Sequence, residues 1–89
     1  MSESVSILNP KNTQAAEELI PIRDQADYHC FMILRKLTAA VHNKDPEVIA
    51  YELEQADLAI DRREIISDNM LRIIAGREPN EIPDVPDIY

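Results

Sequence analysis

The sequence has little of what β-sheets, disulfides and nucleotide sites require. Its 89 residues include one glycine, one cysteine, one phenylalanine, three tyrosines and no tryptophan. A single glycine disfavours hairpin turns and the Gly-rich loops that hold phosphates. The lone Cys30 cannot form an internal disulfide, which favours a reducing, cytoplasmic setting. No Cys/His spacing resembles a zinc site. So few aromatic rings offer little for stacking on nucleic-acid bases.

Basic charge is also scarce, and it is unevenly spread. Residues 1–44 hold five Lys/Arg and five Asp/Glu, whereas residues 45–89 hold four Lys/Arg and twelve Asp/Glu and carry the whole net charge of −8. Direct binding to nucleic acid is disfavoured, because phosphates must be neutralised by Lys or Arg. An acidic surface favours a partner protein with a basic surface, or it serves only solubility.

Long apolar runs are missing as well. No run approaches the roughly 20 residues that a transmembrane helix needs. Residues 1–9 lack the basic start and apolar centre of a signal peptide. The 45% hydrophobic content is typical of a globular chain. We therefore expect a single-domain cytoplasmic protein that does not enter a membrane.

What the sequence does contain is helical periodicity, which predicts an all-α antiparallel helical hairpin of two long helices. The first helix begins with Asn9 as N-cap and Pro10 as first helical residue, or with Asn12 or Thr13 as N-cap. It is kinked near Pro21 and ends at about residue 43. Its apolar residues recur every three or four positions. They are Leu19, Ile22, Ala26, Cys30, Ile33, Leu37 and Val41.

The second helix has the clearest boundaries. Asp45 is the predicted N-cap, Pro46 the first helical residue, and Gly76 the left-handed residue after an end near Ala75. Its predicted core-facing residues form a heptad stripe in which Arg63 and Ser67 interrupt the apolar pattern. We interpret Arg63 as an ion-paired or snorkelling side chain that fixes register, rather than as a substrate contact. The heptad stripe is Ile49, Leu53, Ala56, Ile60, Arg63, Ser67, Met70 and Ile74, and it is widened by Ala59, Ile66 and Ile73, which are also seven apart.

Apolar residues outside these stripes predict assembly. A two-helix hairpin would leave them in water, and burying one such side chain is worth about 1.5–3 kcal/mol. We expect two chains to pair into a four-helix bundle, or these residues to wait for another protein. Which stripe forms the dimer stays open. This outer apolar set is Tyr28, Phe31, Met32, Tyr51, Leu58 and Ile65.

An acidic stripe runs along the second helix, beside part of the outer apolar set. Four of its members are seven residues apart, and two lie between them. Such a row is either a solvated face or a binding surface. The acidic stripe consists of Glu47, Glu54, Asp57, Asp61, Glu64 and Asp68.

The last residues change character and divide the chain into three parts. We predict a flexible segment at 1–12, the hairpin domain at 13–76, and a Pro-rich acidic arm at 77–89, because its three prolines exclude helix. Polyproline II geometry would place Ile82, Val85 and Ile88 on one edge. Such an arm either docks into a groove of its own dimer or of a partner, or it is a frayed acidic tail.

Residue patterns for catalysis are weak. His29 and Cys30 are adjacent on a helix and point about 100° apart, so they cannot form a nucleophile–base pair. Cys30 is best read as a buried core residue. No Glu-x-x-His motif suggests a di-iron site. We expect no enzyme activity, no cofactor and no metal.

Two functions follow from this sequence. The first is a homodimeric protein–protein interaction module that acts as a regulator, adaptor or inhibitor. The second is an acidic nucleic-acid mimic, whose carboxylates would block a DNA- or RNA-binding protein of a restriction, CRISPR or repair complex. The partner's identity does not follow from the sequence.

Overall fold

A computed structural model describes residues 9–87, and this part of the chain is helical without any strand. It contains α1 (Pro10–Glu17), α2 (Ile20–His42) and α3 (Pro46–Ile74). α1 and α2 together form one bent helix, and α3 packs against both. The all-α, two-helix hairpin predicted from the periodicity is therefore confirmed.

The first helix begins at the earlier of the predicted starts. The Asn9 side chain accepts a hydrogen bond from the Lys11 amide at 2.9 Å, and Pro10 opens the helix. Residues 10–12, assigned above to the N-terminal segment, thus belong to α1. Of the rest of that segment, Asn9 is the N-cap, and residues 1–8 lie outside the described part.

The bend falls where proline predicts it. α1 ends at Glu17 and α2 begins at Ile20, with Pro21 in its first turn. Proline has no amide hydrogen and fixes φ near −65°, so it is tolerated in a first turn but not in a helix interior. Leu19 provides no side-chain cap, and the Arg23 amide bonds to its carbonyl at 2.9 Å. The predicted kink near Pro21 is confirmed.

Local sequence also sets both ends of α3. The Asp45 carboxylate accepts a hydrogen bond from the Val48 amide at 3.3 Å, and Pro46 is the first helical residue. Gly76 follows the helix with a φ of 77°, a conformation that only glycine adopts without strain. The Asp45–Pro46 start and the glycine terminator are both confirmed.

Small residues make up much of the interface between α2 and α3. Cys30, Ile33, Ala56 and Ala59 form one buried cluster. Further along α3, Ile66 is completely buried. Alanines let the two helix backbones approach closely, so little apolar area is enclosed. Cys30 is a core residue, as the sequence suggested.

The predicted heptad stripe of α3 is wrong at two positions. Leu53 is 50% exposed and Ile60 is 39% exposed, whereas Glu52, Ala59 and Ile66 are buried. The buried side of α3 is centred on Ala59 and Ile66, which widen the predicted stripe, and it extends from there to the line of α3 residues that contacts the arm. On α2 the predicted stripe holds except at Val41, which is 55% exposed.

Candidate functional site

One line of α3 carries three buried polar side chains that no apolar pattern predicts. Gln55, Arg62 and Asn69 are seven residues apart and therefore follow one line along the helix. Their relative exposures are only 8%, 7% and 1%. We call these three residues the polar ladder. Buried polar groups require hydrogen-bond partners, so the ladder demands a polar ligand.

The backbone of the arm supplies those partners. Asn69 makes a paired contact: its Nδ2 donates to the Asn80 carbonyl at 2.8 Å, and its Oδ1 accepts from the Asn80 amide at 2.7 Å. Arg62 Nε donates to the Pro83 carbonyl at 3.2 Å. Gln55 Oε1 accepts from the Asp87 amide at 2.8 Å. The arm thus runs back along α3, and the ladder contacts its main chain rather than its side chains.

Only a few arm side chains contribute to this contact. Pro86 is buried, Ile82 is partly buried, and Val85 is 53% exposed. Ile82 and Val85 therefore differ in exposure, in a segment whose backbone is hydrogen-bonded at Pro83 and Asp87. Ile88, the third residue of the predicted edge, lies outside the described residues.

Tyr51 adds a contact near the end of the described arm. Its hydroxyl donates a hydrogen bond to the Asp87 carboxylate. This bond, with the neighbouring acidic charges, raises the pKa of Tyr51 to about 12. Tyr51, Leu58 and Ile65 lie three or four residues from ladder positions, so they flank the ladder. Tyr51 and Leu58 are exposed, and Ile65 is partly exposed.

The α2 members of the outer apolar set lie elsewhere. Tyr28 and Phe31 are each 56% exposed, and Met32 is partly exposed. Phe31 borders an open groove of ≈ 530 Å³ that Leu34 and Thr38 also line. The guanidinium of Arg35 lies 5.7 Å from the centre of the Phe31 ring. The six predicted residues are thus divided between α2 and the ladder side of α3, rather than forming one patch.

An ion pair between α2 and α3 shows that their exposed apolar residues share one side of the hairpin. Arg63 contacts Asp27 at 3.0 Å, with both side chains about half exposed. On α2, Asp27 lies four residues before Phe31 and seven before Leu34. On α3, Arg63 follows Ile60 by three. The bridge therefore joins two exposed apolar lines, and it confirms that Arg63 is ion-paired.

We call this side of the hairpin the open face. Its members lie at helical spacing on the two helices, and Ile20 and Leu71 extend the two lines. The nearby charges, which include Asp27, Arg35 and Arg63, come from both signs. The open face consists of Phe31, Leu34, Val41, Leu53 and Ile60.

Every member of the acidic stripe is exposed. Glu54, Asp61 and Asp68 each directly precede a ladder residue, and the flanking residues Leu58 and Ile65 lie between the two lines. Asp68 forms an i,i+4 ion pair with Arg72 at 2.8 Å and also accepts a hydrogen bond from the Asn80 side chain. The stripe and the arm are thus neighbours along α3.

The two residues considered for catalysis, His29 and Cys30, are both buried. Cys30 is buried in the core cluster. His29 is 4% exposed, and its pKa is lowered by burial and by the positive charge of Arg62. Within residues 9–87, no three His, Cys, Asp or Glu side chains converge in a way that could hold a metal ion.

Sequence reasoning missed the polar ladder, although a signal was present. Three polar residues recur every seven positions beside the heptad stripe, and a Pro-rich segment that cannot form helix follows α3. Together they indicate a helix that binds an extended chain.

Among the described helices, none has the length and apolar character to cross a membrane. No family model, curated protein or solved structure matches the chain.

Proposed function

We propose that this protein is a non-enzymatic protein–protein interaction module that regulates, adapts or inhibits a partner as a homodimeric four-helix bundle. The observation that carries the proposal is the open face. Five large apolar residues, all 39% exposed or more, line one side of a hairpin whose own interface is built largely from alanines. Contiguous exposed apolar residues on a soluble chain mark an interaction site.

The position of the heptad stripe supports a bundle in particular. In a four-helix bundle, each stripe points towards the bundle axis, between two neighbouring helices. Ala56 on this stripe faces α2 and is buried, whereas Leu53 and Ile60 are left on the open face. A second hairpin on the open face would cover them. The stripe would then have the burial that its heptad spacing predicts.

Size and charge favour a second copy as the occupant. The hairpin measures 58 × 20 × 17 Å, so its broad side exceeds the roughly 800 Å² that one partner buries in a standard interface. Charges of both signs border the open face: Asp57 and Glu64 of the acidic stripe lie three or four residues from Leu53 and Ile60, and Arg35 and Arg63 lie on the same side. Two copies that approach through this side can therefore pair acidic with basic side chains.

Light scattering coupled to size exclusion tests the proposal at low and high salt. We expect a dimer mass at micromolar concentration in both conditions, because apolar contacts tolerate salt. Leu53→Glu and Ile60→Glu should each weaken the dimer by about 100-fold or more, because each buries a charge in the interface. Leu58→Glu is the matched control, since Leu58 is similarly exposed at 44% but lies beside the ladder. A wild-type monomer would overturn the dimer proposal.

The second candidate is the nucleic-acid mimic, favoured by the exposure of the whole acidic stripe. From Glu47 to Asp68 it extends roughly 30 Å along a straight helix. A mimic should bind a DNA- or RNA-binding protein with steep salt dependence. Asp61→Asn should weaken that binding, and Leu53→Glu, at the open face, should not.

A further inference from the structure

We propose that the polar ladder is a peptide-binding site for a basic, proline-containing extended segment of a partner protein, and that the arm occupies it as an internal competitor. This inference rests on the proposed function, because it names the chemistry of the partner. Its site lies on a different side of α3 from the open face.

The ladder recognises a main chain. All four of its hydrogen bonds go to backbone atoms of residues 80, 83 and 87. Such contacts depend little on which side chains the bound segment carries. Specificity is left to the positions of Ile82 and Pro86, which are partly or fully buried. Any extended segment with an apolar residue and a proline in this register satisfies the same contacts.

Arg62 provides additional binding capacity at the centre of the site. Its relative exposure is only 7%, and its one hydrogen bond to the described part of the arm runs from Nε to the Pro83 carbonyl. Its Nη1 is buried without a hydrogen-bond partner. A buried guanidinium donor without an acceptor is costly. The arm therefore satisfies the site incompletely, and a segment that offers one more carbonyl or side-chain oxygen there would bind better.

Charge identifies the preferred ligand. The arm contains Glu78, Glu81, Asp84 and Asp87, and it lies along a helix whose adjacent stripe holds six carboxylates. Like charges so placed repel each other, so the arm is held by its tether and its backbone bonds despite its charge. A segment with Lys or Arg at the same positions would be attracted to Glu54, Asp61 and Asp68 instead.

The test adds two synthetic peptides to the full chain. One has the sequence of residues 77–87, and the other carries Glu78→Lys, Glu81→Lys and Asp84→Lys while keeping Asp87. We expect the lysine peptide to bind at least tenfold more tightly at low salt and to weaken as salt rises. Amide resonances of Asn80 and Asp87 in the protein should shift to released positions as the peptide displaces the arm.

A third peptide separates ladder binding from simple attraction. It keeps the three lysines but is N-methylated at the Asn80 and Asp87 nitrogens, which removes the donors to Asn69 and Gln55 without changing charge. We expect its affinity to fall at least tenfold. Equal affinity of the methylated and unmethylated peptides, or a lysine peptide that binds no better than the native one, would overturn the proposal. Light scattering on the same samples measures dimerisation independently of peptide binding. Failure of the dimer proposal and failure of the peptide-binding proposal are therefore distinguishable.

Discussion

The two sides of α3 reverse the usual rule of burial. On the open face, Leu53 and Ile60 remain in water, whereas on the ladder side Gln55, Arg62 and Asn69 are buried. Apolar residues are normally inside and these polar types are mostly exposed. The polar groups of the ladder side are buried because the arm lies against them. The ladder side already has a partner, because the arm satisfies its polar groups, and the open face is proposed to gain one by dimerisation.

The largest expected effect concerns the line of α3 that faces α2. Ile66→Ala removes a completely buried side chain and should lower the free energy of unfolding by about 2–5 kcal/mol. Leu58→Ala is the matched control, because Leu58 is 44% exposed, lies off the open face and should change it by about 0.5 kcal/mol or less. Urea unfolding measures both. Equal effects would mean that the burial pattern of α3 is not as described.

The second-largest effect is expected from losing the hydrogen bonds between the polar ladder and the arm. Asn69→Ala removes two hydrogen bonds to Asn80 and should free the arm at a cost of about 1–3 kcal/mol. Gln55→Ala removes one bond and should cost about 0.5–1.5 kcal/mol. Amide hydrogen exchange at Asn80 and tryptic cleavage after Arg77 report the release. A Gln55 variant that frees the arm more than the Asn69 variant would contradict this order.

The free energy of unfolding should depend on pH through His29, which is buried and lies near the positive charge of Arg62. Its pKa is lowered from 6.5, so the unfolded chain takes up this proton first as the pH falls. The contribution of His29 to stability is complete above about pH 6.5 and is lost as the pH falls towards the folded-state pKa. Urea unfolding between pH 8 and 5 should show this loss, and His29→Gln should remove it. A slope that persists in His29→Gln would contradict this assignment.

The smallest effect concerns the contact between Tyr51 and Asp87. Because the hydrogen bond to Asp87 holds the pKa of Tyr51 at about 12, the contact should persist up to pH 10 and be lost as the pH rises through 12. In Asp87→Asn, the pKa of Tyr51 should fall towards 10. Absorbance of tyrosinate near 295 nm measures it. An unchanged titration would mean that the carboxylate does not set the pKa.

Much of the fold could be predicted from residue types with strong local effects. Pro21 predicted the bend, Asp45-Pro46 predicted the start of α3, and Gly76 predicted its end. These features depend on neighbouring residues only, so a single sequence suffices. The site was predicted less well. The acidic stripe and the exposure of Phe31 and Leu58 agree with expectation, but the ladder was missed and the two sides of α3 were not distinguished.

The sequence by itself determined the helices, their caps, the acidic stripe and the excess of apolar residues over what one hairpin can bury. These properties follow from backbone geometry and from composition. Only the tertiary structure decided which side of α3 faces α2, because Leu53, Ala56 and Ala59 have similar periodicity and the closeness of two helix backbones selects the alanines. It also decided that Gln55, Arg62 and Asn69 are buried. That choice depends on a segment at least eleven residues away, which no local pattern specifies.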